Sequence, residues 1–353
     1  MEVNSFINQT KEVYARLADD MSKKIYTNRM LYNLTNDERY LNEIVMEYKP
    51  IKEIKDWLDI HENRKKIIFG AGRNGRRIKE LFPNEPWLCF VDNNARGVVI
   101  DGLKVISLGE LVEKPEECAI IISPFKGYKE ILLQLKDKKF DEKNIFVFAE
   151  SIQNTKEYFE DFVPHSEKEV FVDAGVYDGM TTRDFVEWSE NDYEQIYMFE
   201  PSVDYYERFY TNVKDIKNCS WIKKGLWNEE SVLKFFERSD SDIATEMNLN
   251  GVLKETVYEN GSWIEIPVTS LDVALADKRV TMIKMDIEGS EYNALKGSEN
   301  IIRTQHPKLI ICLYHKLEDI WTLPQLISEL NPEYRFYIRH YSINALDTVL
   351  YAI

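Results

Sequence analysis

Short apolar runs alternate with helical segments in two separate stretches of this chain, and this alternation limits the fold more than any other feature. The first stretch begins near residue 65 and the second near residue 170. Buried strands that alternate with helices predict a parallel sheet with helices on its faces. We therefore expect an α/β protein with two Rossmann-like domains, at residues 63–150 and 169–353.

The first stretch predicts four strands and a helix that begins in a glycine-rich turn. Pro83 should end that helix, because proline has no N–H to donate and clashes with the preceding turn. The predicted strands are 67–69, 88–91, 119–122 and 145–148, and the helix is 75–82. The polar residues 151–168, which include Pro164, predict a linker.

The second stretch predicts a sheet of seven strands. Five of them alternate with helices, at residues 170–173, 196–199, 220–223, 281–286 and 308–314. The last two, 334–339 and 348–351, are separated by a short polar loop. So short a loop joins antiparallel strands and has no room for a parallel crossover. The expected architecture is a parallel sheet with a terminal antiparallel pair.

Residues 1–62 are polar and have apolar side chains at helical spacing. Ile44, Ile51, Ile54 and Leu58 belong to one such stripe, which Pro50 should interrupt. We expect two or three helices in this segment, used for packing and for homo-oligomer formation.

Charge and composition exclude several function classes. The formal net charge is −16, which disfavours a general nucleic-acid binder and a binder of anionic membranes. No apolar run approaches the ~20 residues that span a bilayer, so no membrane insertion is expected. The four cysteines form no close pair, which predicts buried free thiols in a reducing, cytoplasmic compartment.

A glycine-rich loop follows the first strand of the second stretch. Residues 170–179 read V-F-V-D-A-G-V-Y-D-G, with Asp173 at the strand end and Gly175, Tyr177 and Gly179 before the next helix. Glycine lets the backbone approach a ligand, and the free N–H groups of a helix start bind carboxylate or phosphate. Asp173 is a candidate for holding a ligand ammonium or a water molecule.

An acidic residue ends the next strand, where it would bind two ribose hydroxyls. This residue is Glu200, 25 residues after Gly175. The loop lacks the triple-glycine turn that pyrophosphate favours, so S-adenosylmethionine is preferred over NAD as the cofactor. Asn228, after the third strand, is a candidate for contacting adenine. The alternative is that the loop glycines serve packing alone.

Three charged side chains alternate along the strand at 281–286 and just beyond it. Lys284, Asp286 and Glu288 would point to one side of an extended chain. Ligands of open α/β sheets bind at the carboxyl ends of the strands, so these residues should line the active crevice. The alternative is a local ion-pair set at the sheet edge.

At this point the sequence resembles the FkbM-type methyltransferases, over residues about 168–353. The resemblance implies a class I methyltransferase sheet and O-methylation of a hydroxyl, in a family whose members act on polyketides and on sugars of surface or secreted glycans. The motifs that carry it are D-A-G-x-x-x-G at 173–179, F-E-P at 199–201, K-M-D-I-E-G-S-E at 284–291, L-K-G at 295–297, Y-H-K at 314–316 and Y-I-R-H-Y at 337–341.

Methyl transfer to a hydroxyl needs a group that takes the hydroxyl proton, and three arrangements are open. His315 is one candidate base, because a neutral histidine accepts protons near pH 7. Asp286 is the second candidate, either as the base itself or as the group that orients His315. In the third, Mg²⁺ held by Asp286 and Glu288 polarises the hydroxyl. Lys284 is grouped with them on the catalytic side.

A second glycine-rich loop lies in the first stretch. Residues 70–75 read G-A-G-R-N-G, and Asp92 ends the next strand, 20 residues after Gly72. Gly70, Gly72, Gly75 and Asp92 are candidates for a nucleotide site, and Arg73 is a candidate phosphate contact in it. The stretch resembles the small nucleotide-sugar-binding Rossmann domains of sugar-modifying acyltransferases. The alternative is a domain retained for packing and oligomerisation.

The leading hypothesis is an S-adenosylmethionine-dependent O-methyltransferase that acts on a sugar hydroxyl, in polysaccharide or nucleotide-sugar biosynthesis. Its acceptor would be a small molecule or a glycan, and segment 237–262 would be a flap over it or a surface insertion. One alternative is a nicotinamide-dependent oxidoreductase whose catalytic domain is the first one. The sequence has no readable Tyr-x-x-x-Lys pair, which disfavours this alternative. Another is a catalytically inactive nucleotide-binding scaffold.

Overall fold

The structure, a computed structural model, describes residues 3–95, 97–202, 206–238 and 261–353. The chain divides into two compact units. The discontinuous unit contains Met1–Tyr40, Glu157–His340 and Ala345–Ile353. The middle unit contains Leu41–Lys156 and Tyr341–Asn344.

Two helices begin the discontinuous unit, α1 (Val3–Arg16) and α2 (Asp20–Thr35). Asp19 caps α2 by accepting the Ser22 N–H at 2.7 Å. The Ser22 hydroxyl in turn accepts the N–H of Ile338 at 2.9 Å, which fixes α2 to a strand of the same unit. These helices therefore extend the fold of the sheet that follows residue 157.

The predicted helical segment 1–62 is divided between the two units. Helix α3 (Glu38–Val45) crosses the boundary, and α4 (Lys49–Ile60) lies in the middle unit. Pro50 stands in the first turn of α4, where its missing N–H costs nothing, and it separates the two helices as expected.

The middle unit is a Rossmann-like α/β fold, as predicted. Its described strands form one sheet in the order β3-β4-β2-β1-β5-β6, parallel except for the β3–β4 pair. The short β3 and β4 were not predicted. The elements are β1 (Lys65–Phe69), α5 (Arg73–Leu81), β2 (Trp87–Val91), β3 (Val99–Ile100), β4 (Leu103–Ile106), β5 (Cys118–Ile122), α6 (Tyr128–Asp137), β6 (Ile145–Val147) and α7 (Phe148–Gln153).

The rest of the discontinuous unit alternates strands and helices up to its final strand pair. Its elements are β7 (Glu169–Ala174), α8 (Met180–Trp188), β8 (Tyr193–Phe199), α9 (Tyr206–Val213), β9 (Cys219–Ile222), β10 (Gly225–Leu226), β11 (Ser231–Arg238), β12 (Gly261–Thr269), α10 (Leu271–Ala274), β13 (Met282–Met285), α11 (Glu291–Lys296), α12 (Glu299–Gln305), β14 (Lys308–Cys312), α13 (Asp319–Leu330), β15 (Phe336–His340) and β16 (Thr348–Ala352).

The main sheet of this unit confirms the predicted seven strands, counted over the described residues. Their order is β15-β16-β14-β13-β7-β8-β9, and β16 runs antiparallel to both β14 and β15. The other pairs are parallel. The strand order reverses between β7 and β13, so the loops after these strands border a crevice where open α/β sheets bind ligands.

A second, three-stranded sheet in this unit, in the order β10-β12-β11, was not predicted. Strands β11 and β12 pair antiparallel from Ser231↔Val268 to Arg238↔Gly261. Residues 239–260, most of the segment predicted as a flap or insertion, lie outside the described residues.

The predicted linker 151–168 is not a plain connector. Its first residues complete helix α7, and Phe159 is 3% exposed in the core of the discontinuous unit. The Phe159 ring packs on Phe171 and Phe185, each at a centroid distance of 6.0 Å. Residues from 157 onward therefore belong to the sheet that they precede.

The cysteines are free thiols, as expected, with Cys89, Cys118 and Cys312 buried and Cys219 partly exposed. Within the described ranges, none of the helices has the length and apolar character needed to cross a membrane.

Candidate functional site

The loop after β7 passes directly over the end of β13. Gly175 has φ +76°, and a Cβ built on it would lie 1.8 Å from the carbonyl oxygen of Asp286. Only glycine fits at this crossing, because any side chain would collide with backbone. Gly179, with φ +80°, begins α8, and Tyr177 between them is 38% exposed.

Asp173 and Lys284 hold this loop in place through hydrogen bonds and an ion pair. The fully buried Asp173 accepts a 2.6 Å hydrogen bond from Thr182 and lies 3.3 Å from the Lys284 Nζ. Lys284 also donates to the carbonyls of Ala174 and Gly175, at 3.2 and 2.7 Å. Burial alone would lower the pKa of Lys284, but the charges of Asp173 and Asp286 raise it, so the ammonium stays charged.

Asp173 was expected to hold a ligand group and Lys284 to serve the substrate side. Both side chains are almost completely buried, and their protein contacts position the loop between β7 and α8. Their roles toward a ligand stay predictions.

Glu200, at the end of β8, lies against the same loop. One of its carboxylate oxygens accepts the Tyr177 N–H at 3.1 Å, and the other accepts the Ser202 N–H at 2.9 Å. Burial raises the pKa of Glu200 above its usual value, although these two hydrogen bonds act to lower it. The structure thus brings together the predicted Gly175, Tyr177, Gly179 and Glu200.

Asp286 is the centre of a hydrogen-bonded cluster on the β13 side. Its Oδ1 accepts the Tyr314 hydroxyl at 2.9 Å, and its Oδ2 accepts the Tyr158 hydroxyl at 3.1 Å. Burial would raise the pKa of Asp286, but His315, Lys284 and the Tyr314 hydroxyl lower it well below its ordinary value. The carboxylate is therefore ionised.

His315 lies among three carboxylates. Its Nε2 is 3.3 Å from Asp286 and 3.7 Å from Glu288, and its Nδ1 is 2.9 Å from Glu291. Burial alone would lower the pKa of His315, but Glu291 and Asp286 raise it well above the ordinary value. The nearby carboxylates therefore favour the charged form of the ring, and the role of His315 as a base stays a prediction.

The sequence analysis did not identify several members of this cluster. Glu291 and Tyr314 stand inside the quoted motifs, so their position beside Asp286 and His315 offered a usable signal. Tyr158 and Glu157 lie in the predicted linker and offered none. Burial and the nearby Asp347 and Asp286 raise the pKa of Glu157 well above its usual value.

Asn228, the predicted adenine contact, follows β10. It is exposed, and its Cα would be 3.0 Å from a Cβ built on Gly297, after the end of α11. Its contact with adenine stays a prediction.

In the middle unit, packing accounts for most of the predicted nucleotide residues. Gly70 has φ +107°, and a Cβ on Gly75 would lie 2.0 Å from the Gly70 carbonyl oxygen. Asp92 accepts the N–H groups of Ala71, Asn94 and Ala95 at 2.8–3.0 Å, which keeps its pKa low in spite of burial. Gly72 is exposed at the start of α5, as is Arg73.

Comparison with known proteins matches a family model to a stretch of the chain that lies in the discontinuous unit except for its last two residues. Residues 173–342, from the acid at the end of β7 to the loop after β15, match the model of the methyltransferase FkbM domain. No curated protein matches the chain.

Two solved structures resemble the chain at low sequence identity. The first is the methyltransferase FkbM of Methylobacillus flagellatus, which is 17% identical, with a TM-score of 0.48; the match covers 95% of this chain and 99% of that one. The second is Aeropyrum pernix fibrillarin with natively bound S-adenosyl-L-methionine, which is 9% identical, with a TM-score of 0.32; the match covers 54% of this chain and 67% of that one.

The family match covers the glycine loop, Glu200 and the cluster around Asp286. It agrees with the resemblance drawn from the motifs and with the observed seven-stranded sheet. Residues 173–342 therefore match the methyltransferase FkbM domain, and the chain is a methyltransferase.

Proposed function

We propose that this protein uses S-adenosylmethionine to methylate a hydroxyl group, most specifically a sugar hydroxyl. One observation carries the proposal. The Gly175 loop, Glu200 and Asp286 stand at the carboxyl ends of the adjacent strands β7, β8 and β13, at the point where the strand order reverses. That is the crevice in which α/β folds bind adenosine-containing ligands.

The side chains on the β7–β8 side fit such a cofactor. Each oxygen of Glu200 accepts one backbone N–H, which leaves acceptor capacity for the two ribose hydroxyls. The loop from Gly175 to Gly179 leads into α8, whose free N–H groups suit the methionine carboxylate. When bound, the cofactor supplies an electrophilic methyl group on its sulfonium.

The side chains around Asp286 fit the acceptor. We expect Asp286 to take the hydroxyl proton as the acceptor oxygen is methylated, and His315, whose Nε2 is 3.3 Å from the Oδ1 of Asp286, is the alternative base. Tyr158 and Tyr314 hold the Asp286 carboxylate in place, which helps to align oxygen and methyl for in-line transfer. The choice of a sugar acceptor rests on the resemblance to FkbM-type enzymes.

Calorimetric titration with S-adenosylhomocysteine tests this division of roles. We expect Glu200→Ala to weaken binding at least tenfold, because hydrogen bonds to a charged group contribute about 1.5–3 kcal/mol each. Asp286→Asn should keep the affinity and lose transfer of labelled methyl to a panel of glycans and nucleotide sugars. Glu187→Ala, on the exposed face of α8, is the control. Equal affinity in wild type and Glu200→Ala would refute the ribose assignment.

Binding of a nucleotide or nucleotide-linked sugar by the middle unit remains a prediction. It rests on the exposed Gly72 and Arg73 at the start of α5. Titration of the whole protein with a uridine diphosphate sugar checks it, since Arg73→Ala should weaken binding if Arg73 contacts phosphate. The absence of binding would favour a packing role for this unit.

A further inference from the structure

The surroundings of His315 contain more carboxylates than cations. Asp286, Glu288 and Glu291 all lie within 3.7 Å of the imidazole nitrogens. Lys284, whose charge acts on Asp286, is already paired with Asp173 beneath the glycine loop. Buried carboxylates that outnumber their cations are costly unless a further positive charge compensates them.

Several buried atoms of this cluster that could bind a metal form no hydrogen bond of acceptable geometry among the described residues, although the ring nitrogens and the carboxylates lie close together. They are the Oε2 of Glu291 and both ring nitrogens of His315. The two side chains are 1% and 8% exposed, so bulk water does not satisfy these atoms. The other oxygen of Glu291 accepts the Ile287 N–H at 2.9 Å, which orients the free one.

The spacing of these donors matches one bound cation. Asp286, Glu291 and His315 each offer one ligand atom, and the three atoms lie within 4.8 Å of one another. An octahedral ion with bonds of about 2.1 Å places neighbouring ligand atoms about 3.0 Å apart and opposite ones about 4.2 Å apart. The separation of 3.3 Å between the Nε2 of His315 and the Oδ1 of Asp286 falls near the shorter value.

We propose that Asp286, Glu291 and His315 form a binding site for a divalent transition-metal cation, with Mn²⁺ as its representative. An imidazole nitrogen with two carboxylates is a mixed ligand set, which suits first-row transition metals better than the all-oxygen preference of Mg²⁺. The site thus differs in ligands and in metal from the Mg²⁺ pair of Asp286 and Glu288 expected from the sequence. Glu288 lies on the rim, at 34% exposure.

The role of the cation rests on the proposed function, whereas its binding does not. A cation beside Oδ1 of Asp286 would bind the acceptor hydroxyl and lower its pKa. The hydroxyl proton then passes to Oδ2 of Asp286, as the acceptor oxygen forms its bond to the methyl carbon and the carbon–sulfur bond breaks. Metal binding can therefore be tested without any acceptor.

The test is a titration of the full-length protein with Mn²⁺ after metals have been removed with EDTA. The electron paramagnetic resonance signal of free Mn²⁺ measures how much of the ion is bound. We expect one ion per chain, at least a tenfold weaker affinity in Glu291→Gln, and little competition from an equal concentration of Mg²⁺. Glu299→Gln, which alters an exposed acid paired with Arg303 on α12, is the matched control and should bind like wild type.

The variant is first checked for folding by its affinity for S-adenosylhomocysteine, which should equal that of wild type. No Mn²⁺ binding by wild type, or equal Mn²⁺ affinity in wild type and a folded Glu291→Gln, would overturn the metal site. Those results would not affect the proposed methyl transfer. If the wild-type protein did not bind S-adenosylhomocysteine, the proposed methyltransferase function would be contradicted instead.

Discussion

At the scale of single residues, the glycines of the G-x-G-x-x-G motif have different structural roles, which the motif alone does not predict. In the middle unit, Gly75 packs on the Gly70 carbonyl, whereas a Cβ on Gly72 would meet nothing within 4 Å. Gly72 also has an ordinary φ of −77°. The third glycine of G-x-G-x-x-G is therefore required by the fold, and the second is not.

We predict that Gly75→Ala destabilises the protein by about 2 kcal/mol or more, because the new methyl overlaps backbone and forces a shift. Gly72→Ala should change the free energy of unfolding by less than about 0.5 kcal/mol, because its methyl enters open space. Thermal and urea unfolding measure both values. Equal effects of the two substitutions would contradict the packing assignment.

Sequence reasoning named Asp286, Glu288 and His315 as candidate residues but did not predict that three carboxylates lie around the His315 ring. The carboxylates come from one motif, and the histidine reaches them from the end of β14. Glu291 was visible in the same motif as Asp286, but its contact with His315 depends on how the chain turns after Asp286.

At the scale of elements, strand β13 explains why the predicted alternation held only in part. The strand ends at Met285, so Asp286 and Glu288 lie beyond it, and Glu288 has φ +54°. A left-handed residue turns the chain out of extended geometry. Lys284 contacts the carbonyls of the glycine loop, whereas Asp286 accepts the tyrosine hydroxyls and lies near His315 together with Glu288.

The segment after α7 is a second element-scale finding, since it carries Tyr158 to Asp286 across 128 residues of sequence. We predict that Tyr158→Phe lowers the methyl-transfer rate about tenfold, because a hydrogen bond to the charged Asp286 is lost. Its affinity for S-adenosylhomocysteine should not change.

Tyr193→Phe is the matched control for this prediction, because it removes a hydroxyl that donates to the carbonyl of Lys217 at 3.0 Å, near the other end of β8. Rate measurements on both variants with the same acceptor decide the case. A Tyr158→Phe enzyme as fast as Tyr193→Phe would show that the segment serves packing alone.

At the scale of the whole molecule, the positions of most strands along the chain could be predicted from the sequence. The assignment of the other segments to the two compact units was harder to predict. Apolar runs ended by acidic residues marked β7, β8 and β13, and a run ended by Tyr314 and His315 marked β14, because buried parallel strands require such runs. The three-stranded sheet gave no comparable signal, since its strands have exposed positions such as Val232 and Trp263. The placement of α1 and α2 depends on contacts more than 300 residues distant, such as that of Ser22 with Ile338.

Hydrogen–deuterium exchange of the intact chain, with and without S-adenosylhomocysteine, tests the central claim most directly. We predict slower exchange in peptides that cover residues 173–182, 198–202 and 284–291, with no change in the loop at 70–75. Protection confined to 70–75, or found in none of these peptides at saturating ligand, would contradict a cofactor site at the ends of β7, β8 and β13.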